Sequence, residues 1–262
     1  MNQSEKRLYL INELLNESSY KGQIKIPKDT EDQRTLLRSL FNIRDPKPIS
    51  KEFLKIQDEY LKERNIERGI VSLSSLEEIS DDIFLWQGDI TLLDADAIVN
   101  AANSALLGCF RPMHSCIDNC IHTYSGIELR LACNEIMQKQ GHEEETGKAK
   151  ITPAFNLPSK YVIHTVGPIV YDELTPKHEN LLISCYGNCL KLADEYGCKS
   201  IAFPCISTGV FMFPNERAAE LAVQTVLNYK EQTNSKIKVI FNVFKDLDLE
   251  IYENILSEVN YD

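Results

Sequence analysis

From about residue 80 onward the chain alternates short apolar runs with longer amphipathic stretches, and nothing else in it constrains the fold as much. Strands are expected in "DIFLWQG", "DAIVNAA", "KAKITPA", "KYVIHTVG", "KSIAFPCIS" and "IKVIFNVF". Helices are expected near 117–140, 177–196, 214–230 and 247–259. Strands and helices in turn build a mostly parallel sheet with helices on both faces, an α/β sandwich. Ligands of such sheets bind beyond the carboxyl ends of the strands, so the loops after strands are where chemistry is expected.

The first seventy or so residues follow a different rule. Leu8, Ile11, Leu14 and Leu15 share one helical face, as do Leu36, Leu37, Leu40 and Phe41, and then Phe53, Ile56, Tyr60 and Leu61. Pro46 and Pro48 mark a turn between the second and third of these stretches. The expected organisation is a helical N-terminal extension over 1–75 packed on a main domain over 76–262. No residue pattern in the extension points to chemistry.

Composition then excludes several classes. No stretch approaches the roughly 18 apolar residues a membrane span needs, and "MNQSEKRLYLINELLNE" is not a secretory signal. The expected compartment is the cytoplasm, with no membrane partner. Thiols stay reduced there, so the eight cysteines argue for metal binding or catalysis rather than disulfides. The net charge of −11 and the lack of a basic run argue against a polynucleotide partner. A small anion is still compatible, because backbone N–H groups at helix starts hold phosphate locally.

Four loops carry polar residues in the right places. "QGDIT" follows the first strand and presents Asp89, which taken alone reads as a turn cap. "IVNAANSALLG" ends a strand with Asn100 and Asn103. "PCISTGVFMFP" runs from a strand through a small-residue turn into a helix, and such a turn aims successive N–H groups at a diphosphate. The fourth, "GCFRPMHSCIDNCIH" (108–122), holds three of the eight cysteines and two of the five histidines.

Within that fourth loop Cys109, His114 and Cys116 have the spacing C-x4-H-x-C. Two thiolates and an imidazole suit Zn2+, and three protein ligands with an open position characterise a catalytic site. Cys120, one helical turn beyond Cys116, is the alternative fourth ligand that would close a structural site. Asp118 lies in the first turn of the following helix, where it either stabilises the helix start or faces the loop. His142, His164 and His178 lack matching partners and read as surface or core residues.

Taken in order, "QGDIT", "DAIVNAANS", "CIDNCIH", "HTVGP" and "IAFPCISTGVF" resemble the macrodomain family of ADP-ribose-binding proteins, over residues 80 to 262. The resemblance implies a three-layer α/β/α sandwich around a mixed six-stranded sheet. It implies that Asp89 accepts from the adenine amino group, with the backbone of Ile90 beside it, and that Phe244 stacks on the adenine. Ser207, Thr208, Gly209, Val210 and Phe211 would form the phosphate loop. Asn103 would contact the distal ribose, and Ile117, Asp118 and Asn119 would line the diphosphate and that ribose. Asp118 stands at the position of the family's catalytic aspartate.

One departure is informative. "GCFRPMHSC" replaces the glycine-rich run of ordinary ADP-ribosyl-hydrolysing macrodomains. With the helical extension, this is similar to the zinc-containing microbial branch, which removes ADP-ribose from proteins. That branch is associated with sirtuin-like ADP-ribosyltransferases and with a lipoylated carrier related to the glycine-cleavage H protein. The resemblance thus implies a hydrolase acting on a mono-ADP-ribosylated protein, with one Zn2+ per chain and Asp118 and Asn103 as catalytic residues. Two alternatives stand beside it: a non-catalytic ADP-ribose reader with structural zinc, and a hydrolase of O-acetyl-ADP-ribose or a similar small metabolite.

Overall fold

The computed structural model describes residues 1–259 and sets three helices ahead of a layered α/β unit. The helices are α1 (Gln3–Glu17), α2 (Thr30–Ile43) and α3 (Lys51–Arg68). Each starts where the sequence supplies a cap. Asn2 and Glu5 form a reciprocal capping box, Asp29 accepts from the amides of Glu31 and Asp32, and Ser50 accepts from that of Phe53. Caps of this kind satisfy amides that have no partner inside the helix and are worth about 1 kcal/mol each. The apolar faces read from the sequence, among them Ile11, Leu37 and Phe53, meet in one buried cluster.

The strands are β1 (Val71–Ser72), β2 (Glu78–Ser80), β3 (Ile83–Gln87), β4 (Leu93–Asp94), β5 (Ala97–Ala102), β6 (Ala149–Pro153), β7 (Tyr161–Val166), β8 (Ser200–Phe203) and β9 (Lys238–Val243). The helices among and after them are α4 (Ile117–Ser125), α5 (Ile127–Gln140), α6 (Pro176–Glu195), α7 (Asn215–Thr233) and α8 (Asp246–Val259). β1 and β4 form a small parallel pair. The expected boundary at residue 75 falls in a short helical turn, Leu73–Ser75, between β1 and β2.

The main sheet has the order β2-β3-β9-β8-β5-β7-β6. β3, β9, β8, β5 and β7 are mutually parallel, while β2 and β6 run antiparallel at the two edges. All six expected strands are present, and the sheet has seven because β2 adds an edge. With three residues and Ile79 as its single apolar side chain, β2 is too short to show a period. Side chains alternate across the sheet as the pleat requires. Ile83, Val99, Ile163, Ile201 and Val239 face α6, α7 and α8, whereas Phe84, Ile98, Val162, Ala202 and Ile240 face α4 and α5. This is the mixed α/β/α sandwich expected from the sequence.

One expected element divides in two. The helix read over 117–140 breaks at Gly126, whose φ of +96° is costly for any residue with a Cβ. A Cβ there would also meet the side chain of Gln57 at 2.7 Å. Gln57 belongs to α3 and accepts from the amide of Ile127 at 2.9 Å, so the extension itself caps α5.

The same interface combines apolar contact, with Ile127 of α5 in the cluster of the extension, and buried polar pairs. Asn42 of α2 donates to Thr123 of α4 at 3.0 Å, and Asn65 of α3 donates to the carbonyl of Asn156 at 2.8 Å. Arg130 of α5, itself buried, donates to the carbonyls of Phe41 and Arg44 at 3.0 and 2.6 Å. Buried polar groups persist only when paired, and these pairs set the docking angle of the extension against α4 and α5. Among the described residues no helix is long and apolar enough to cross a membrane.

Candidate active site

Parallel strands place their carboxyl ends on one side of the sheet, and that topology assembles the site. Asp89 follows β3, Asn103 follows β5, Gly167 follows β7, the segment 207–211 follows β8, and Phe244 follows β9. The start of α4 completes the ring with Ile117, Asp118 and Asn119.

Asp118 is the centre of a buried polar network. Asn100, at the middle of β5, donates to one carboxylate oxygen at 2.8 Å, and Asn103 reaches the other at 3.4 Å. Burial pushes the Asp118 carboxyl up to about 6, against the opposing pull of the Asn100 amide and the Arg130 guanidinium. A carboxylate held this way stays largely ionised at neutral pH yet is more basic than an exposed one. The Asn100 amide also approaches His164 Nδ1 at 3.2 Å, while Thr152 Oγ1 and Cys133 Sγ lie at 3.0 and 3.7 Å from His164 Nε2. His164 is therefore a bonded core residue. His122, one turn after Asp118, is buried with neither ring nitrogen bonded.

The Cys109–His114–Cys116 loop brings its three donor atoms within 4.8 Å of one another. Two ligands at about 2.3 and 2.05 Å from a tetrahedral ion would stand about 3.6 Å apart, and Cys109 Sγ lies 3.5 Å from His114 Nδ1. Cys116 caps α4, its sulfur accepting from the amide of Asn119 at 3.4 Å. Burial first, and the neighbouring Cys109 and Asp118 charges after it, push the Cys116 thiol up to about 12. Two sulfurs and a carboxylate this close require a cation if they are to be ionised together, and a bound dication would supply it. The donor set fits zinc.

Cys120 is outside that set. Its sulfur accepts from Arg38 Nη2 at 3.6 Å, on the side of α4 that faces the extension. His122, Cys133 and His164 also bring donor atoms within 4.8 Å. There, however, both His164 nitrogens already have partners, and burial, with the nearby Arg130 guanidinium after it, holds the His122 pKa well below the usual imidazole value.

The segment 207–211 is organised in the opposite way. Ser207 has a φ of +68°, and its carbonyl accepts from the amide of Phe213 at 3.0 Å. The carbonyl of Phe211 accepts from the amide of Val170 at 2.9 Å. Among the described residues, the amides of Gly209, Val210 and Phe211 and the buried hydroxyl of Ser207 have no acceptor. Gly167 allows the loop to sit so close, since a Cβ there would lie 2.1 Å from the Ser207 hydroxyl. Thr208 turns its hydroxyl back to the carbonyl of Cys205.

At the far end, Phe244 is 75% exposed directly after β9, at the carboxyl edge of the sheet. Ile90 is buried. Asp89 is more occupied than its sequence suggests, because one carboxylate oxygen accepts from the amide and hydroxyl of Thr91. The other accepts from Arg68 at the end of α3. Arg68 lies flat over the ring of Tyr124, 3.4 Å from its centroid. A carboxylate has about four lone-pair sites, so one remains for a ligand amine.

Sequence reasoning missed Arg38, Asn42, Arg68 and Arg130. They lie on helical faces that carry no motif, and only docking brings them to the site. His164 had a signal in "HTVGP", but its partners were not readable.

The sequence profile described as Macro domain matches residues 99–222. A protein-ADP-ribose hydrolase of Treponema medium is 54% identical over 261 residues, covering 98% of this chain and 100% of that protein. A protein-ADP-ribose hydrolase of Staphylococcus aureus (strain MSSA476) is 49% identical over 251 residues, covering 95% of this chain and 94% of its own length. Among solved structures, the Oceanobacillus iheyensis macrodomain with ADP superposes with a TM-score of 0.63 at 36% identity, over 71% of this chain and 96% of that one.

Proposed function

The chain belongs to the Macro domain family, and we propose that it is a zinc-dependent hydrolase that removes mono-ADP-ribose from modified proteins. The full-length similarity to two protein-ADP-ribose hydrolases supports the hydrolase reading. The observation that carries the mechanism is the buried Asp118, bonded by Asn100 and lying two residues past the Cys109–His114–Cys116 cluster.

ADP-ribose would lie along the carboxyl edge of the sheet. Phe244 offers its exposed face to the adenine, and Asp89 its remaining lone pair to the amino group. The free amides of Gly209, Val210 and Phe211 would receive the diphosphate oxygens without the desolvation cost of breaking an existing bond. Asn103 and Asn119 would border the distal ribose. Asp118, in its raised carboxylate form, would orient water and accept its proton during attack. Asn100 fixes the carboxylate so that this occurs in one geometry. Cys109, His114 and Cys116 would hold Zn2+, one per chain, whose positive charge stabilises negative charge developing on oxygen.

That Cys120 bonds to Arg38 rather than joining the cluster supports an open, three-ligand site over a closed structural one. The acceptor follows the resemblance: a mono-ADP-ribosylated lipoylated carrier related to the glycine-cleavage H protein, modified by a sirtuin-like transferase. The cytoplasm, where thiols remain reduced, is the compartment this chemistry needs.

The test incubates the purified protein with a mono-ADP-ribosylated carrier. Free ADP-ribose should appear, disappear after chelator treatment, and return when Zn2+ is restored. Release that chelation leaves unchanged would remove the metal from the reading.

A further inference from the structure

We infer that the N-terminal extension is a positioning device for the metal loop, acting through Arg38 and Asn42, two residues one helical turn apart on α2. This rests on reading Cys109, His114 and Cys116 as zinc ligands.

The loop 109–116 contains no regular structure, and Met113 in it has a φ of +56°, unfavourable for a side-chain-bearing residue. Such a segment keeps one conformation only if its backbone groups are bonded from outside. Here three side chains do so. Asn119 Nδ2 donates to the carbonyls of Cys109 and Arg111 at 3.3 and 2.9 Å. Arg38 Nη2 donates to the carbonyl of His114 at 2.9 Å and to Asn119 Oδ1 at 2.9 Å. Asn42 Oδ1 accepts from the amide of Met113 at 3.1 Å, while its Nδ2 donates to Thr123 on α4.

Two of these three side chains come from the extension. Arg38 is bonded both to the backbone of a ligand residue and to the asparagine that holds the first half of the loop. It also occupies the Cys120 sulfur. One guanidinium thus fixes where His114 stands and keeps a competing thiol turned away. Groups that orient metal ligands without touching the metal commonly change metal affinity by about 10–100-fold when removed.

The experiment measures zinc affinity by chelator competition, and the visible spectrum after Co2+ substitution, for wild type, Arg38→Ala, Asn42→Ala and Arg34→Ala. Arg34 is the control. It lies on the same helix but pairs with Glu31 and Glu67 and makes no bond to the loop. Expected is zinc binding about 10–100-fold weaker for Arg38→Ala and Asn42→Ala, with an altered Co2+ spectrum. Their kcat should fall with little change in KM. Arg34→Ala should match wild type, and all variants should bind free ADP-ribose as wild type does.

Wild-type zinc affinity in both loop-facing variants would overturn the inference, as would equal weakening in Arg34→Ala, which would mean general loosening. If Arg38→Ala fails to fold, Arg38→Met carries the test, since it keeps the apolar stem but removes the Nη2 donor that makes all three bonds, and unchanged affinity there would overturn it too. Wild-type protein that binds no zinc would overturn the metal reading itself and this inference with it, an outcome visible before any variant is made.

Discussion

The two ends of the candidate site are built on opposite plans. At the metal end the backbone of 109–116 is tied down by side chains from α2 and α4, and the donor atoms converge with their surroundings already bonded. At the phosphate end the segment after β8 keeps consecutive amides and a buried hydroxyl without partners among the described residues. The first end holds its geometry by itself. On the proposed reading the second would be completed by a ligand, whose oxygens would supply the missing acceptors. On that reading the contrast is physical: a reaction centre must be held to a fraction of an ångström, whereas a diphosphate is flexible and brings its own acceptors.

The sharpest way to break this contrast is to remove a metal donor. Cys109→Ala should reduce zinc from about one per chain to a trace and reduce ADP-ribose release to background. Free ADP-ribose should still bind at close to wild-type strength. Elemental analysis and calorimetry on the same sample read both ends at once, and a variant fully active without metal would dissolve the distinction.

Next in size is Asp118→Ala. It should keep its zinc and its affinity for free ADP-ribose while turnover falls roughly 100-fold or more, the usual scale for losing a positioned base. Hydrolysis at the wild-type rate would remove Asp118 from the chemistry and leave it as a helix-start residue.

At the ligand-completed end the expected effects are smaller. Asp89→Ala and Phe244→Ala should each weaken ADP-ribose binding by on the order of 1–3 kcal/mol, about 5- to 150-fold in Kd. Zinc content should not change in either. Because Asp89 also holds Arg68, its replacement should additionally lower thermal stability, which that of the exposed Phe244 should not. Unchanged calorimetric affinity in both would place the adenine elsewhere.

The smallest effect probes the interface that supports the metal end. Burial, followed by the Asp58 carboxylate on α3, pushes Glu128 on α5 up to about 7. The folded state holds this proton more tightly than the unfolded chain does, so the stabilisation is complete below the unfolded value near 4.5 and is lost as pH rises through 7. Glu128→Gln should therefore raise the melting temperature by about 1–3 °C at pH 8 and leave it unchanged at pH 4. A shift of the same size at both values would mean that protonation of Glu128 is not the cause.

The sheet was legible because its signal is local: each strand announces itself as an apolar run of known length, and parallel order follows from the helices between. The candidate donors Cys109, His114 and Cys116 were legible as a group for a similar reason, since three such residues within eight positions need no knowledge of the fold. The break at Gly126 carried a glycine, but its necessity comes from Gln57 on another helix, sixty-nine residues earlier. β2 escaped notice because three residues cannot display a period of two.

Other parts of the site had no local signal at all. Arg38 meets His114 across 76 positions and Asn42 meets Met113 across 71. Nothing in an arginine or asparagine on an ordinary amphipathic helix says which backbone it will hold. The sequence by itself determined the layered fold, the converging loops and the grouping of Cys109, His114 and Cys116, since these depend on period and spacing along the chain. Only the tertiary structure decided that Cys120 bonds to Arg38, that Asp89 is shared with Arg68, and that Asp118 is buried against Asn100. Hydrogen bonds between distant segments exist only after apolar burial has docked the extension on α4 and α5, and docking is a property of surfaces rather than of any stretch of sequence.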